Sequence, residues 1–275
     1  LKQNQTEDAA IKAINNGNLT WEMVTGNVSK MTKPIWTEVF KRMPMTATVR
    51  NLGQLTANGV LTVDNTELLA ILEDRLVNKE NLHKGRVHPL ALASAYKIYQ
   101  GGGNLGRSKH TYTPVPRVKD ILEDAINLAF ESIEPTGKVY QHNVDISGSM
   151  FGGWGSSNVG NLWMAPAEVA GVMALASAKS EKNYFIGGFS TQFAPFNWTK
   201  KTSFGTITSG RAWPNWSGGG TDASVGYLDA IKHNRKVDIF VNWTDNESWA
   251  GYKHPSQALA EYRKKVNPNA KAVYV

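Results

Sequence analysis

Hydrophobic residues in the first 134 positions recur at the three- and four-residue spacing of amphipathic helices. Lys33-Pro34 begins one such run, where proline is tolerated because the N–H groups of a first helical turn have no intrahelical partner. Asn65 is a typical N-cap before a second run, and His88-Pro89 opens a third, which stops at Gly101. Helices separated by short glycine and proline joints indicate stacked helical hairpins, as in an α-solenoid.

The pattern changes after Glu134-Pro135-Thr136-Gly137, where strands begin to alternate with helices. The predicted strands are VYQHNVD, KNYFIGGFS, VDIFVNWTD and AKAVYV, and the predicted helices are PAEVAGVMALASAKS, TDASVGYLDAIKHN and SQALAEYRKKV. Such alternation is typical of a doubly wound α/β domain, in which helices cover both faces of a parallel sheet. We therefore divide the chain into a helical-repeat region, residues 1–134, and an α/β domain, residues 138–275.

The first predicted strand carries three consecutive polar residues, Gln141, His142 and Asn143. A strand at the centre of a parallel sheet is buried on both faces and is expected to be apolar. The sequence leaves two explanations open: a buried polar network, or divergence of this strand.

The composition is that of a globular protein, since 41% of the 275 residues are hydrophobic and 19% are charged. No apolar run approaches the roughly 20 residues of a membrane span, so no membrane partner is expected. The N-terminal LKQNQTEDAA does not have the pattern of a secretory signal. The absence of cysteine excludes disulfides, thiolate zinc sites and cysteine nucleophiles, and the cytoplasm is the simplest compartment.

The net charge is +7. Residues 75–119 contain nine Lys or Arg residues and one acidic residue, Glu80. A basic stretch of this kind favours a polyanionic partner, chiefly nucleic acid. The alternative is a solvated basic face without a partner.

Three oxygen-rich segments are predicted at one rim of the sheet. Asp145-Ile146-Ser147-Gly148-Ser149 ends the first strand, residues 218–222 (GGGTD) lead into a helix, and residues 244–247 (TDNE) follow the VDIFVNW strand. Ligands of doubly wound sheets bind beyond the carboxyl ends of the strands. Carboxylate, hydroxyl and water oxygens suit Mg²⁺ or Mn²⁺. The alternative is a polar turn, with Thr221 and Asp222 only capping a helix.

The arrangement resembles the metal-ion-dependent adhesion site (MIDAS) of von Willebrand A domains. In that site, the D-x-S-x-S residues, a threonine and an aspartate hold the ion directly or through water. Carried over to this sequence, the resemblance implies that the metal ligands are Asp145, Ser147, Ser149, Thr221 and Asp245.

Catalytic motifs do not have the context that they require. Ser147 lacks a surrounding G-x-S-x-G elbow, and His142 lies within the strand, away from the loop serines. Gly101-x-Gly103-x-x-Gly106 follows a helix rather than a strand, which argues against a dinucleotide site. The six histidines are scattered and form no H-E-x-x-H motif. We predict a binding protein and not an enzyme.

Several segments resemble the Ro autoantigen, or TROVE-module, family, in the same order along the chain. Residues 43–58 are similar to the family's MPLTALLRNLG…MTAN, residues 86–89 to RIHP, and residues 134–138 to EPTGK before the A domain. Residues 244–265 resemble TDNE…HP…EYRKK. The resemblance implies a ring of HEAT-like helical repeats that is closed by a von Willebrand A domain.

The resemblance also implies a function. Members of this family bind small non-coding Y RNAs and the single-stranded 3′ ends of misfolded RNAs, in RNA quality control. Members are much longer than this chain, so most of the ring is expected before Leu1, and the A domain is expected to be incomplete at Val275. The expected function is RNA binding with a divalent-metal site. The alternative is a metal-dependent interaction module that captures an acidic residue of a protein partner.

Two sets of residues are candidate RNA contacts. The glycine-rich segment after Gly101 would let backbone approach phosphate, with cations and an aromatic ring nearby, although it could equally be a flexible basic loop. Residues of the family-like segments could line the ring interior, or simply cap and solvate helices. The candidates are Arg50, Asn51, Gln54, Lys84, Arg86, His88, Arg107, Lys109, His110 and Tyr112.

Tryptophans are concentrated in the loops that are predicted to surround the metal. Exposed aromatic patches mark binding surfaces. An aromatic collar for a partner is therefore predicted from Trp154, Trp213, Trp216 and Trp249. The alternative is that the indoles fold inward and cover the end of the sheet.

Overall fold

The computed structural model describes residues 6–17, 19–27, 30–105, 110–131, 133–151, 158–215, 218–245 and 248–275. The chain divides into two compact units, residues 1–129 and 130–275, whereas the sequence pattern places the boundary at residues 134–138. Within the described ranges, no helix has the length and apolar character that a membrane crossing requires.

The first unit is helical. Its helices are α1 (Glu7–Gly17), α2 (Trp21–Asn27), α3 (Lys33–Arg42), α4 (Met45–Ala57), α5 (Thr66–Leu76), α6 (Lys79–Lys84), α7 (Pro89–Gln100) and α8 (Pro116–Phe130), whose last residue belongs to the second unit. Helices α1 and α2 pack on α3, α3 packs on α4, and α4 packs on α7. The helical prediction is confirmed, and the assignment of these helices to HEAT-like repeats stays a prediction.

Helices of the first unit begin at the capping residues that the sequence indicates. The Asn65 side chain accepts a hydrogen bond from the Leu68 N–H (3.3 Å) at the start of α5. His88 Nδ1 accepts one from the Leu90 N–H (3.2 Å) at the start of α7. These bonds satisfy N–H groups that have no partner within the helix.

The second unit contains a five-stranded, mostly parallel sheet with flanking helices. The strands β1 (Tyr140–Asp145), β2 (Tyr184–Phe189), β3 (Phe193–Pro195), β4 (Ile239–Trp243) and β5 (Lys271–Tyr274) are ordered β3-β2-β1-β4-β5. Among the strands of the described residues, β3 alone is antiparallel to its neighbour, β2. A 3₁₀ turn (Ser149–Phe151) follows β1, and the helices are α9 (Pro166–Ser180), α10 (Phe204–Thr208), α11 (Val225–Lys232) and α12 (Pro255–Lys265). The predicted doubly wound fold is confirmed.

A buried polar network accounts for two of the three polar residues of β1, Gln141 and Asn143. Gln141 Nε2 donates to Asn143 Oδ1 and to the Gly226 carbonyl of α11, both at 2.9 Å. Asn143 Nδ2 donates to Asn242 Oδ1 of β4, and Asn242 Nδ2 donates to the Tyr227 hydroxyl, both at 2.8 Å. Buried polar groups are tolerated when they are hydrogen-bonded. Of the two explanations, the network is therefore the one that the structure supports.

Candidate functional site

Three segments meet at the carboxyl edge of the sheet: a first loop at residues 146–149, a second at 218–222, and a third loop after β4, described at residues 244–245 and 248–252. The Gly218 N–H donates to the Ile146 carbonyl (2.6 Å), which joins the first loop to the second. The Ala250 N–H donates to the Thr221 carbonyl (3.0 Å), which joins the second loop to the third. The described parts of the three oxygen-rich segments that the sequence singles out therefore lie together.

Asp145 is a fully buried carboxylate at this edge, with 0% of its surface exposed. Its Oδ1 accepts from the Ser147 N–H and its Oδ2 accepts from the Thr244 hydroxyl, both at 2.8 Å. Burial raises the pKa of Asp145, these hydrogen bonds oppose the shift, and the charge of Asp245 adds to it. Within the described part of the chain, no lysine or arginine forms a salt bridge with Asp145.

The other predicted ligands range from buried to exposed. Ser147 and Thr221 are buried, whereas Ser149 and Asp245 are exposed. The hydroxyls of Ser147 and Ser149 lie 3.3 Å apart. No group of three acidic, histidine or cysteine side chains that could hold a metal occurs among the residues that the structure describes. An ion here would thus depend on hydroxyl and water oxygens in addition to two carboxylates.

Asp222 and Thr244, which adjoin predicted metal ligands in the sequence, form side-chain hydrogen bonds at this edge. Asp222 Oδ1 accepts from the Ser224 N–H (2.9 Å) and the Ser224 hydroxyl (2.6 Å), which fixes the start of α11. Asp222 therefore forms a polar turn just before α11, whose N-cap residue is Ser224. Thr244, whose hydroxyl bonds to Asp145, was missed as a site residue, although it opens the family-like TDNE segment.

The candidate RNA contacts on α4 differ in exposure. Arg50 is exposed, whereas Asn51 and Gln54 are half-buried. Asn51 Nδ2 donates to the Ala47 carbonyl one turn earlier (2.8 Å). For Asn51 the observed contact is therefore with its own helix, and Arg50 is the more accessible of these residues.

Lys84, Arg86 and His88 are exposed around the end of α6 and the start of α7. Lys84 pairs with Glu80 at 2.6 Å, but both side chains are more than 70% exposed, so the pair contributes little to stability. His88 uses Nδ1 to cap α7.

Two other cations of the basic stretch have structural partners. Arg75 donates to the carbonyls of Phe40 (2.9 Å) and Lys41 (3.0 Å) at the end of α3. Arg117 pairs with Glu73 at 2.6 Å. The charge available to a polyanion is therefore smaller than the residue count between positions 75 and 119 indicates.

Tyr112 packs against protein rather than pointing to solvent. Its ring centre lies 5.3 Å from that of Tyr99, and burial raises its pKa to about 12. Helix α4 passes close by at Gly53, where an added Cβ would lie 2.7 Å from Tyr112 Cε1. The prediction that Tyr112 stacks on an RNA base does not agree with this position, because the ring already packs on Tyr99 and α4. His110 is exposed, and Arg107 and Lys109 lie outside the described residues.

The tryptophans of the predicted collar do not behave alike. The Trp213 indole N–H donates to a carbonyl oxygen of α10 (3.1 Å), and its ring meets that of Trp198 edge-on at 5.5 Å. Trp213 therefore fits the inward-folding alternative rather than the collar. Trp249 is 72% exposed, whereas Trp154 and Trp216 lie outside the described residues.

Two known domains match the chain, in the order expected from the sequence. Residues 16–105 match the TROVE domain, and residues 140–275 match the Ro60 vWA domain. Over 98% of its length, the chain is 33% identical to the RNA-binding protein RO60 of Deinococcus radiodurans. The chain belongs to the Ro family.

The Ro proteins that it matches are longer. The chain spans 50% of the Deinococcus radiodurans protein and 39% of the RNA-binding protein RO60 of Caenorhabditis elegans, to which it is also 33% identical. It resembles the crystal structure of the Deinococcus radiodurans RO (RSR) protein with a TM-score of 0.73 at 32% identity. That likeness covers 98% of this chain and 53% of the other.

The ion of a MIDAS-type centre fits the residues present in this Ro-family A domain. Among the described residues, the hydrogen bonds to the buried Asp145 carboxyl group come from neutral donors, and a buried charge is costly unless it is paired or coordinates a metal. The surrounding candidates are hydroxyl and carboxylate oxygens, which are the donors that hard divalent cations prefer.

Proposed function

We propose that this protein binds RNA, with small non-coding Y-like RNA and single-stranded ends of misfolded RNA as its ligands. The observation that carries this proposal is the presence of a TROVE domain and a Ro60 vWA domain in one chain. Relatives named RNA-binding proteins and the net charge of +7 support it. The proposal is one of binding and includes no catalytic step. The cytoplasm is the proposed compartment, consistent with the cysteine-free sequence.

The proposed phosphate contacts are the exposed cations of the helical unit. Arg50 and Arg86 are exposed, and neither forms a salt bridge with another described residue. Gln54, one turn after Arg50 on α4, would add a polar contact in a ring interior of HEAT-like repeats. Lys84, His88 and His110 are exposed as well, and they extend the proposed surface.

The salt dependence of binding tests the RNA proposal. The affinity for a fluorescent single-stranded RNA is measured by anisotropy over a range of salt concentrations. Each phosphate contact lowers the logarithm of the affinity by about 0.7 per logarithm of salt concentration. Arg50→Ala with Arg86→Ala should reduce this slope by roughly one to two contacts.

Lys12→Ala is the matched control, because Lys12 is an exposed cation on α1, outside the proposed surface. It should leave the slope unchanged. An unchanged slope in the double variant would assign Arg50 and Arg86 to solvated surface. Failure of the unmodified protein to bind would contradict the RNA proposal itself.

We further propose that the A domain holds Mg²⁺ or Mn²⁺ through Asp145, Ser147, Ser149, Thr221 and Asp245, directly or through water. A bound cation would offset the charges of Asp145 and Asp245 and offer an open position to an anionic ligand. Calorimetric titration with Mn²⁺ tests the site. Asp145→Asn, which keeps the side-chain size and removes the charge, should abolish most of the binding. Glu181→Gln, at a buried carboxylate bonded to Thr136, should not.

A second candidate function is metal-dependent capture of an acidic residue from a protein partner. The exposure of Ser149 and Asp245 favours it, because a partner could reach an ion held between them. It differs from the first proposal in one measurable respect. An acidic peptide, rather than RNA, would show an affinity that depends on Mn²⁺ and on Asp145.

A further inference from the structure

The third loop of the candidate site holds two aromatic side chains in solvent. Trp249 is 72% exposed and Tyr252 is 85% exposed. Single exposed aromatic residues are common, but here two occur within four positions of the sequence, beside a candidate metal centre, and exposed aromatic surface often marks a binding site.

Hydrogen bonds fix the chain on both sides of Trp249. The Ser248 hydroxyl accepts from the Ala223 N–H (3.2 Å), and the Ala250 N–H donates to the Thr221 carbonyl (3.0 Å). The far edge of the indole lies over Gly220, where an added Cβ would be 2.8 Å from Trp249 Cη2. One part of the ring is therefore supported by glycine, while most of its surface is open to solvent.

After Ala250, the backbone at Gly251 packs closely against the Asp222 side chain. Gly251 has a φ of 90°, a conformation that favours glycine. An added Cβ at Gly251 would overlap the Asp222 carboxylate, at 2.1 Å from its Oδ2. Asp222 is itself bonded to Ser224 at the start of α11. The backbone and small side chains thus hold this loop through hydrogen bonds in which the Trp249 indole takes no part.

One lysine lies beside the Tyr252 ring. Lys253 Nζ lies 6.0 Å from the centre of the Tyr252 ring. The same ammonium group pairs with Glu261, so its charge is partly neutralised. A ligand on these rings would be held mainly by contact with their flat faces rather than by charge.

We propose that Trp249, with Tyr252 beside it, is a stacking platform for a base of single-stranded RNA next to the metal centre. The proposal rests on the proposed RNA-binding function and deepens it. Every base has a π-face, and a base gains from stacking on an aromatic ring that is already in position. The carbonyl of Thr221, a candidate metal ligand, accepts a hydrogen bond from the N–H of Ala250, the residue after Trp249. A cation held there would offset the repulsion between an RNA phosphate and the carboxylates of Asp145 and Asp245.

The test is the affinity of the protein for oligoadenylate in Mn²⁺ buffer, measured by fluorescence anisotropy. Trp249→Ala should weaken binding roughly five- to a hundredfold, the change that corresponds to ~1–3 kcal/mol for one lost base stack. The salt slope should stay the same, because no phosphate contact is removed. Trp249→Phe should retain most of the affinity, since phenylalanine also stacks. An oligomer of abasic sites should bind the unmodified protein and Trp249→Ala equally.

Phe185→Ala is the matched control. Phe185 is an aromatic residue of the same domain that is 41% exposed near the amino end of β2, away from the carboxyl edge. This change should leave the affinity for oligoadenylate unaltered. An equal loss in Phe185→Ala and Trp249→Ala would overturn the proposal.

The outcomes separate this inference from the function on which it rests. If the unmodified protein does not bind oligoadenylate, RNA binding and the platform both fail. If it binds and Trp249→Ala binds equally well, only the platform fails. A drop of several degrees in the melting temperature of Trp249→Ala would show that the indole supports the fold, and would also overturn the platform. Loss of acidic-peptide binding in Trp249→Ala, with RNA affinity unchanged, would assign the surface to a protein partner instead.

Discussion

Acidification should destabilise the A domain through a single buried imidazole, that of His142. The side chain is 3% exposed, and its ring stacks between those of Tyr140 and Trp243, with ring centres 6.0 and 6.1 Å away. Nδ1 accepts a hydrogen bond from the Trp243 indole N–H (3.0 Å), so the neutral ring carries its proton on Nε2. Protonation would place a second N–H on Nδ1, facing a donor. The charged ring would lose this bond and remain buried.

The size of the effect follows from the pKa. Burial lowers the pKa of His142 from 6.5 to about 4. Between these values the unfolded chain binds a proton that the folded chain does not, so stability falls as the pH decreases. The difference between the two pKa values corresponds to about 3 kcal/mol, all of it lost by about pH 4. Above pH 6.5 the full stability is present.

Urea unfolding from neutral pH to pH 4 measures this loss. Tryptophan fluorescence reports mainly on the A domain, because seven of the nine tryptophans follow residue 129. His142→Asn keeps an acceptor for the Trp243 N–H but does not titrate, so it should lack about 3 kcal/mol of the acid-induced loss. His83→Asn, at an exposed position, should retain the full loss. Parallel stability curves for the unmodified protein and His142→Asn would refute the reasoning.

Two further predictions concern the sheet and its edge. Gly226→Ala should destabilise the A domain by about 1–3 kcal/mol, because the new Cβ would lie 2.5 Å from the buried Asn143 Oδ1. Chemical denaturation measures this cost, and Gly148→Ala, with no neighbouring atom within 4 Å, is the control. At a hundredfold excess over its Kd, Mn²⁺ should stabilise the unmodified protein by about 2.7 kcal/mol and Asp145→Asn hardly at all. Equal melting temperatures in EDTA and in Mn²⁺ would contradict the metal site.

The helices and main strands could be predicted because their signals are local. Asn65 caps α5 from the residue before its first turn, and the period of the apolar residues identifies the helix that follows. The strand β3 could not be predicted in this way. It has three residues, Phe193–Pro195, which is too short for an alternating pattern to be recognised.

The candidate site was only partly predictable. The order of the DISGS, GGGTD and TDNE segments along an α/β pattern places Asp145, Thr221 and Asp245 at one edge, and the backbone bonds between the loops agree with this. The orientation of individual aromatic rings depends on contacts that no local pattern contains. Tyr112 turns inward because Gly53, far earlier in the chain, leaves room for its ring. Trp213 turns inward because α10 offers a carbonyl to its indole.

The family-like segment at residues 134–138 shows how a motif can be structural. Glu181, at the end of α9, is 4% exposed and accepts from the Thr136 N–H (2.8 Å), the Thr136 hydroxyl (2.9 Å) and the Gly137 N–H (3.3 Å). Gly137 has a φ of 71°, which favours glycine. The residue types at Thr136 and Gly137 are thus explained by the attachment of this segment to the end of α9, without any ligand.

The polar residues of β1 also bear on the register in which β1 pairs with β4. Asn143 lies opposite Asn242 in the pairing of β1 with β4, and their amides bond at 2.8 Å. Two positions further along the chain in each case, the hydroxyl of Thr244, just after β4, bonds to Asp145 at the end of β1, also at 2.8 Å. A slip of one residue would turn these side chains to opposite faces and leave buried amides without partners. Apolar side chains would tolerate such a slip more readily, so we infer that the buried amide pair fixes the register that brings Asp145 to Thr244.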